Sequence, residues 1–225
     1  MVAKRNKKCD KIDIMGGETE RRVGERRPGG RSARVRSAVL AAAVTLLEEV
    51  GYDEVTYDEI AQRAGVHKTT VYRRWPSKPE LLADALELHS EEHVPVPATG
   101  SLTGDLAALA ASVAANVSGP AGERRSTSIV AAASHSEELA DITHRFMIRR
   151  IELTESLVAA AVERGELSAD VDPRVVIEAL VGPIWFRLLL TGEPIDAEFL
   201  DALVALVERG VSASFPVSTS GASRS

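Results

Sequence analysis

The chain has 225 residues, of which 44% are hydrophobic and only 4% aromatic; this is enough for one large domain or two modest ones, and the reliance on Ala, Leu and Val favours packed helices over sheet. The formal net charge of −6 would exclude a polyanion-binding surface if it were evenly spread, but residues 1–80 carry 17 Lys and Arg against 12 Asp and Glu, residues 81–225 carry 10 against 21, and no Lys follows Lys78. A single Cys, Cys9, in a polar stretch excludes a disulfide framework, no apolar run is long enough to span a membrane, and the basic first residues lack the apolar centre of a signal peptide, so a cytoplasmic protein is expected.

Residues 1–30 are rich in Lys, Arg and Gly without periodicity and read as a disordered basic tail. The run from Arg26 to Arg31 reads either as a solvated tail or as an arm for a minor groove, and Met15 is an alternative start. Val35, Val39, Ala42, Ala43, Leu46, Leu47 and Val50 recur at three-to-four spacing, which predicts a helix over 32–50 stopped by Gly51.

Residues 56–78 read as two short helices joined by a tight turn, with a third helix starting after them. Thr56 and Glu59 form a capping box, and Val55 and Ile60 sit at the staple positions. Ile60, Ala61 and Ala64 give the inward face of the first helix, and Gly65 takes the turn. The second helix runs from Lys68 to Trp75, with Val71 and Trp75 inward and Lys68, Thr69, Thr70, Tyr72, Arg73 and Arg74 outward. Such a helix-turn-helix projects short polar and forked side chains toward base edges in a major groove and cations toward phosphates; a merely solvated face is the competing reading. Ser77 and Glu80 form a second capping box for a helix to about Leu88, and Lys78 at its N-terminus is assigned to a phosphate.

The run Ala64-Gly65-Val66-His67-Lys68-Thr69-Thr70-Val71-Tyr72-Arg73-Arg74-Trp75-Pro76-Ser77-Lys78 resembles the signature of the tetracycline-repressor (TetR) family of bacterial transcriptional regulators, over about residues 31–88. His67 stands where that family often has Ser, and Thr69 where Gly is common. The resemblance implies an all-α fold: a helix-turn-helix domain at 31–88, then a helical effector-binding and dimerisation domain at 95–215. The candidate DNA contacts are Thr56, His67, Lys68, Thr69, Thr70, Tyr72, Arg73 and Lys78.

His89-Ser90-Glu91-Glu92-His93 has the H-x-x-E-H order of a zinc protease, but a Val-Pro-Val-Pro connector follows at once and no distant carboxylate completes a site, so no metal or other cofactor is expected. Beyond that connector a small-residue helix is predicted over 102–117, a loop over 119–125, a short helix over 129–135, and a long helix over 137–164 capped by Ser136 and stopped by Gly165. Asp172-Pro173 opens a helix to Thr191 that Gly182-Pro183 should kink; Asp196 caps the last helix, and residues 216–225 read as a disordered tail.

The last two helices are apolar on more than one side. An ordinary core is one reading; the other, which the family resemblance implies, is a four-helix bundle across a two-fold axis with Ile184, Trp185, Leu188, Leu203, Val204 and Val207 between subunits. The resemblance also implies a cavity for an unknown small-molecule effector, for which Asn116, His144, Arg145, Phe146, Met147, Trp185 and Phe186 are candidates, with core packing or a satisfied surface group as the competing reading for each. No Gly-rich phosphate loop, G-x-S-x-G elbow or Cys–His pair points to an enzyme. The expected function is a homodimeric repressor released from double-stranded operator DNA by its effector; the alternative is a constitutive DNA-binding regulator with none.

Overall fold

A computed structural model describes residues 30–212, and all their regular structure is helical. The expected tails, the start at Met15, the arm from Arg26 and the domain limit at 215 fall wholly or partly outside the described residues. The chain begins with α1 (Arg31–Val50), whose last amide acceptor is closed by Gly51 at φ 81. α2 (Tyr57–Arg63) and α3 (Lys68–Arg74) follow. Thr56 Oγ1 accepts from the Glu59 N–H at 3.3 Å, the side-chain half of the expected capping box, while the Glu59 carboxylate takes the Thr56 hydroxyl at 2.7 Å rather than its backbone N–H. α2 ends on paired bonds, Val66 N–H to the Ala61 carbonyl at 3.0 Å and Gly65 N–H to that of Gln62 at 3.2 Å. Gly65 stands at φ 65 there, which a side chain would resist. His67 leaves α3 without a side-chain cap, since no short side-chain oxygen stands at that position.

α4 (Lys78–His93) is capped by Ser77 and runs five residues past the expected end at Leu88. Ser90 in the added turn is buried; the helix stops at Val94 because a residue before proline avoids the helical region. α5 (Leu102–Val117) lies as expected. The loop expected over 119–125 is instead the start of α6 (Gly119–Ala133), which absorbs the short helix expected at 129–135. Pro120 sits in the first turn, where it favours a helix start. Gly122 is not a breaker but a point of close approach: a Cβ there would lie 2.6 Å from the Asn116 carbonyl oxygen.

α7 (Glu137–Glu163) is capped by Ser136 and closed at Gly165, and α8 (Pro173–Phe186) by the Asp172 carboxylate, which accepts from Arg174 and Val175 N–H. Pro183 offers no N–H to the Ala179 carbonyl, and within one turn α-helical bonding gives way to a wider π turn over Arg187–Thr191. The distortion expected from Gly182-Pro183 thus appears as a widened turn. α9 (Ala197–Ser212) completes the fold, with Asp196 accepting from the Phe199 N–H at 2.9 Å.

Two cores result. One gathers α1 to α4 around Leu40, Leu47, Ile60, Val71, Trp75 and Leu81, and takes in Ile129 and Ala132 of α6 and Leu139 of α7. The other gathers α5, α7, α8 and α9 around Leu106, Leu109, Val158, Leu180 and Ile184. The head therefore rests directly on α6 and the first turn of α7. No helix among the described residues is long and apolar enough to cross a membrane.

Candidate nucleic-acid interface and effector cavity

The helix-turn-helix is held by its inward side. Val71 and Trp75 are buried. The Trp75 indole N–H donates to Asp84 at 3.0 Å, and the same carboxylate oxygen accepts from Arg36 at 2.9 Å, tying α3 to α4 and α1. The Tyr57 hydroxyl donates to the Trp75 carbonyl at 2.9 Å. Burial, reinforced by Tyr72, pushes the Tyr57 phenol up to about 12, so it remains a donor. Tyr72 stacks on Tyr57 at 4.4 Å between ring centroids and stays half exposed.

With that side anchored, His67, Lys68, Thr69, Tyr72 and Arg73 stand exposed and Thr70 half-buried on the outward side of α3, and Thr56 is exposed at the start of α2. Lys78 differs. Its ammonium turns onto the turn between α1 and α2, donating to the carbonyls of Tyr52, Asp53 and Val55 at 3.0, 3.3 and 3.3 Å, and lies 4.3 Å from the centroid of the Tyr52 ring. Burial lowers its pKa, against the opposing pull of Asp53 and Glu54. The side chain expected at a phosphate thus braces three carbonyls of the turn after α1 in this structure.

A cavity of about 280 Å³ opens among α4, α5, α7 and α8. Asn116, Phe146, Met147 and Trp185 line it, as expected, together with Leu109, Val113, Arg150, Ile151, Thr154, Ile177 and Val181. His144, Arg145 and Phe186 do not. His144 and Arg145 are on the solvent side of α7, where Arg145 pairs with Asp141, and Phe186 is exposed on the outside of α8. The missed residues had a signal. Steps of three and four back from Asn116 reach Val113 and Leu109, and forward from Phe146 and Met147 reach Arg150, Ile151 and Thr154.

The expected subunit contacts also need correction. Ile184 is 0% exposed, and Leu203, Val204 and Val207 are buried with it in the second core, against α5. Leu188 and Trp185 are half-buried, and Trp185 faces the cavity. The large apolar side chains that α8, its π turn and α9 leave outside are Val175, Phe186, Leu189, Leu190 and Leu206.

Asn116 connects the cavity to the head. Its carboxamide oxygen accepts from Arg125 of α6 and from His89 of α4, each at 2.9 Å. Arg125 can only donate, which identifies the facing atom as oxygen and places the His89 proton on Nε2. Arg125 also donates to the Asn116 carbonyl and pairs with Glu48 of α1. Beside it, Arg124 donates to the Glu48 and Glu49 carbonyls at 2.8 and 2.9 Å, and Ser128 Oγ accepts the Tyr52 N–H at 3.1 Å. The end of α1 is thereby clamped by α6. His89 stacks on His93, whose Nδ1 bonds the His89 carbonyl at 2.8 Å, and no third metal-ligating side chain joins the pair among the described residues.

Comparison with known proteins accords with this arrangement. The family model for bacterial regulatory proteins of the tetR family matches residues 39–85, and that for a tetracyclin repressor-like C-terminal domain matches residues 96–207. The uncharacterized HTH-type transcriptional regulator YdeS of Bacillus subtilis (strain 168) is 33% identical over 158 residues, which are 68% of this chain and 77% of that one. The DNA-binding transcriptional repressor TetR of Mycobacteroides abscessus is 32% identical over 146 residues, 64% of this chain and 76% of that one. The crystal structure of the TetR family transcription regulator SCO0332 superposes with a TM-score of 0.69 at 33% identity, covering 79% of this chain and 98% of that chain. With its exposed recognition helix, its helical body and these relatives, the chain belongs to the TetR family of helix-turn-helix transcriptional regulators.

Proposed function

We propose that the protein is a homodimeric repressor that leaves its operator when a small, largely apolar molecule enters the cavity among α4, α5, α7 and α8. The observation that carries this reading is the hydrogen-bonded chain from the cavity wall at Asn116 through Arg125 to Glu48 of α1, because it gives a cavity occupant a physical route to the head. His89 ties the same carboxamide to α4. Two recognition helices must stand about 34–36 Å apart to enter successive major grooves, so a small shift of α1 and α4 in each subunit is enough to spoil the fit. Val175, Phe186, Leu190 and Leu206 supply the apolar outer face for pairing α8 and α9 with those of a second copy. The relative in Mycobacteroides abscessus bears the name of a repressor, which favours that sign of regulation.

Selection of bound fragments from random-sequence DNA tests the DNA-binding half. A site with two related halves one helical turn apart is expected, and no enriched sequence contradicts it. Effector release is tested by linkage: a molecule found by thermal-shift screening should bind about 5–150-fold more weakly in the presence of operator. Equal affinities would leave a constitutive regulator.

A further inference from the structure

Two of the polar side chains on the cavity wall, Thr154 and Glu178, are already spoken for, and Ser90 adds a neutral hydroxyl. The Thr154 hydroxyl donates to the carbonyls of Arg150 and Ile151 at 3.1 and 2.8 Å, and Glu178 pairs with Arg174 at 2.9 Å. The other arginines of the long helix and its end have carboxylates: Arg145 has Asp141, Arg149 has Glu87, and Arg164 has Asp105 and Glu166. Arg150 has none within ion-pair distance among the described residues; one N–H of its fork donates to the Val94 carbonyl, and Glu87 and Glu91 act on it only from further away. Burial pushes its guanidinium below the usual arginine value. A half-buried cation without a close counter-ion gains more from a carboxylate than a fully solvated one does. Asn116 is placed similarly: its oxygen is used by Arg125 and His89, while its amide N–H groups have no acceptor among the described residues. The uncommitted polar groups that Arg150 and Asn116 bring to the wall of this apolar cavity are thus donors.

We infer that the effector is a small anionic amphiphile, a monocarboxylate with an apolar body, whose carboxylate is taken by the Arg150 fork with help from the Asn116 amide. The inference rests on reading the cavity as the effector site. A carboxylate matches a guanidinium in two parallel bonds and supplies the missing counter-charge. Leu109, Val113, Ile177 and Val181 take the apolar body. The volume of about 280 Å³ stands at the small end of ligand cavities and suits a short chain or a single ring.

The test uses three probes with one apolar body: octanoate, 1-octanol and octylamine, titrated into the full chain by calorimetry at neutral pH, with the part of the tryptophan emission change that is lost in Trp185→Phe, which keeps only Trp75, reporting the cavity. Octanoate is expected to bind about tenfold to a hundredfold more tightly than octanol, as a charge-assisted pair should. Arg150→Gln should bring octanoate to the affinity of octanol while octanol binding persists, which also shows that the variant is folded. Equal wild-type affinities for octanoate and octanol, or an octanoate preference surviving in Arg150→Gln, would overturn the head-group assignment and leave the cavity as a site for neutral molecules. Tightest binding of octylamine would give the head group to Glu178 and overturn it too. No binding of any probe, by heat or by an emission change lost in Trp185→Phe, would overturn the cavity reading along with it.

Discussion

The guanidinium of Arg125 donates to the carboxamide oxygen of Asn116 at 2.9 Å, and its other arm pairs with Glu48 at the end of α1. One buried cation thus joins the cavity wall to the DNA-binding head. Removing one partner of a buried pair leaves the other uncompensated. Arg125→Ala is expected to lower stability by about 3–5 kcal/mol, read as the urea midpoint with an unchanged slope. A loss below about 1 kcal/mol would mean that water replaces the arginine without penalty.

His89 makes the same junction sensitive to acid. Burial is the largest cause lowering its pKa from 6.5, followed by the charge of Arg125 and by His93; the bond to Asn116 and the charge of Glu48 pull the other way. The folded state therefore binds the proton less readily than the unfolded chain, and the stabilisation, full above about 6.5, is lost as pH falls through the lower folded value. Denaturant midpoints measured from pH 8 downward should fall below about pH 6.5 more steeply in the wild type than in His89→Gln. Parallel curves would remove His89 from the account.

Lys78 is expected to act on the head's stability rather than on DNA. Lys78→Ala leaves the carbonyls of Tyr52, Asp53 and Val55 without their shared donor and should cost about 1–2 kcal/mol. The salt dependence of operator binding should be unchanged. A slope reduced by about one unit would return Lys78 to the phosphate contacts.

Arg73 stands exposed on the outward side of α3 with no carboxylate partner among the described residues. Arg73→Ala should weaken specific binding by about 1–3 kcal/mol and relax one position of each half-site. Equal losses on selected and random DNA would make it a backbone contact instead.

The outer and inner sides of the last helices should answer differently to a charge. Leu190→Glu and Leu206→Glu, at 74% and 62% exposure, are expected to give folded monomers by sedimentation. Val204→Glu, at 6% exposure, should unfold the body whatever the subunit number. A wild-type protein sedimenting as a monomer at micromolar concentration would contradict the dimer.

The amino-acid sequence alone determined the head and most of the body's helix boundaries. The caps at Thr56, Ser77, Ser136 and Asp172, the turn at Gly65 and the inward pair Val71 and Trp75 all depend on residues a few positions apart, where spacing and backbone geometry decide the outcome. The tertiary structure decided what depends on distant neighbours. The stretch 119–125 reads as a loop until the Asn116 carbonyl is found where a side chain at Gly122 would go, and Lys78 reads as a phosphate contact with no sign of the turn after α1 that lies beneath it. The two apolar helices at the end announce burial on several sides, yet periodicity does not say which side meets α5 and which is left outside, so Ile184 and Val204, expected between subunits, lie in the core while Leu190 and Leu206 stay exposed. Arg150 stands out only once the other arginines of its helix and its end have found carboxylates, Arg145 within α7 itself, Arg149 on α4 and Arg164 on α5, and two of those three pairs require helices far apart in the chain to lie side by side. Local geometry is written in neighbouring residues; which charge meets which, and which face meets which, is fixed by packing between elements far apart in the chain.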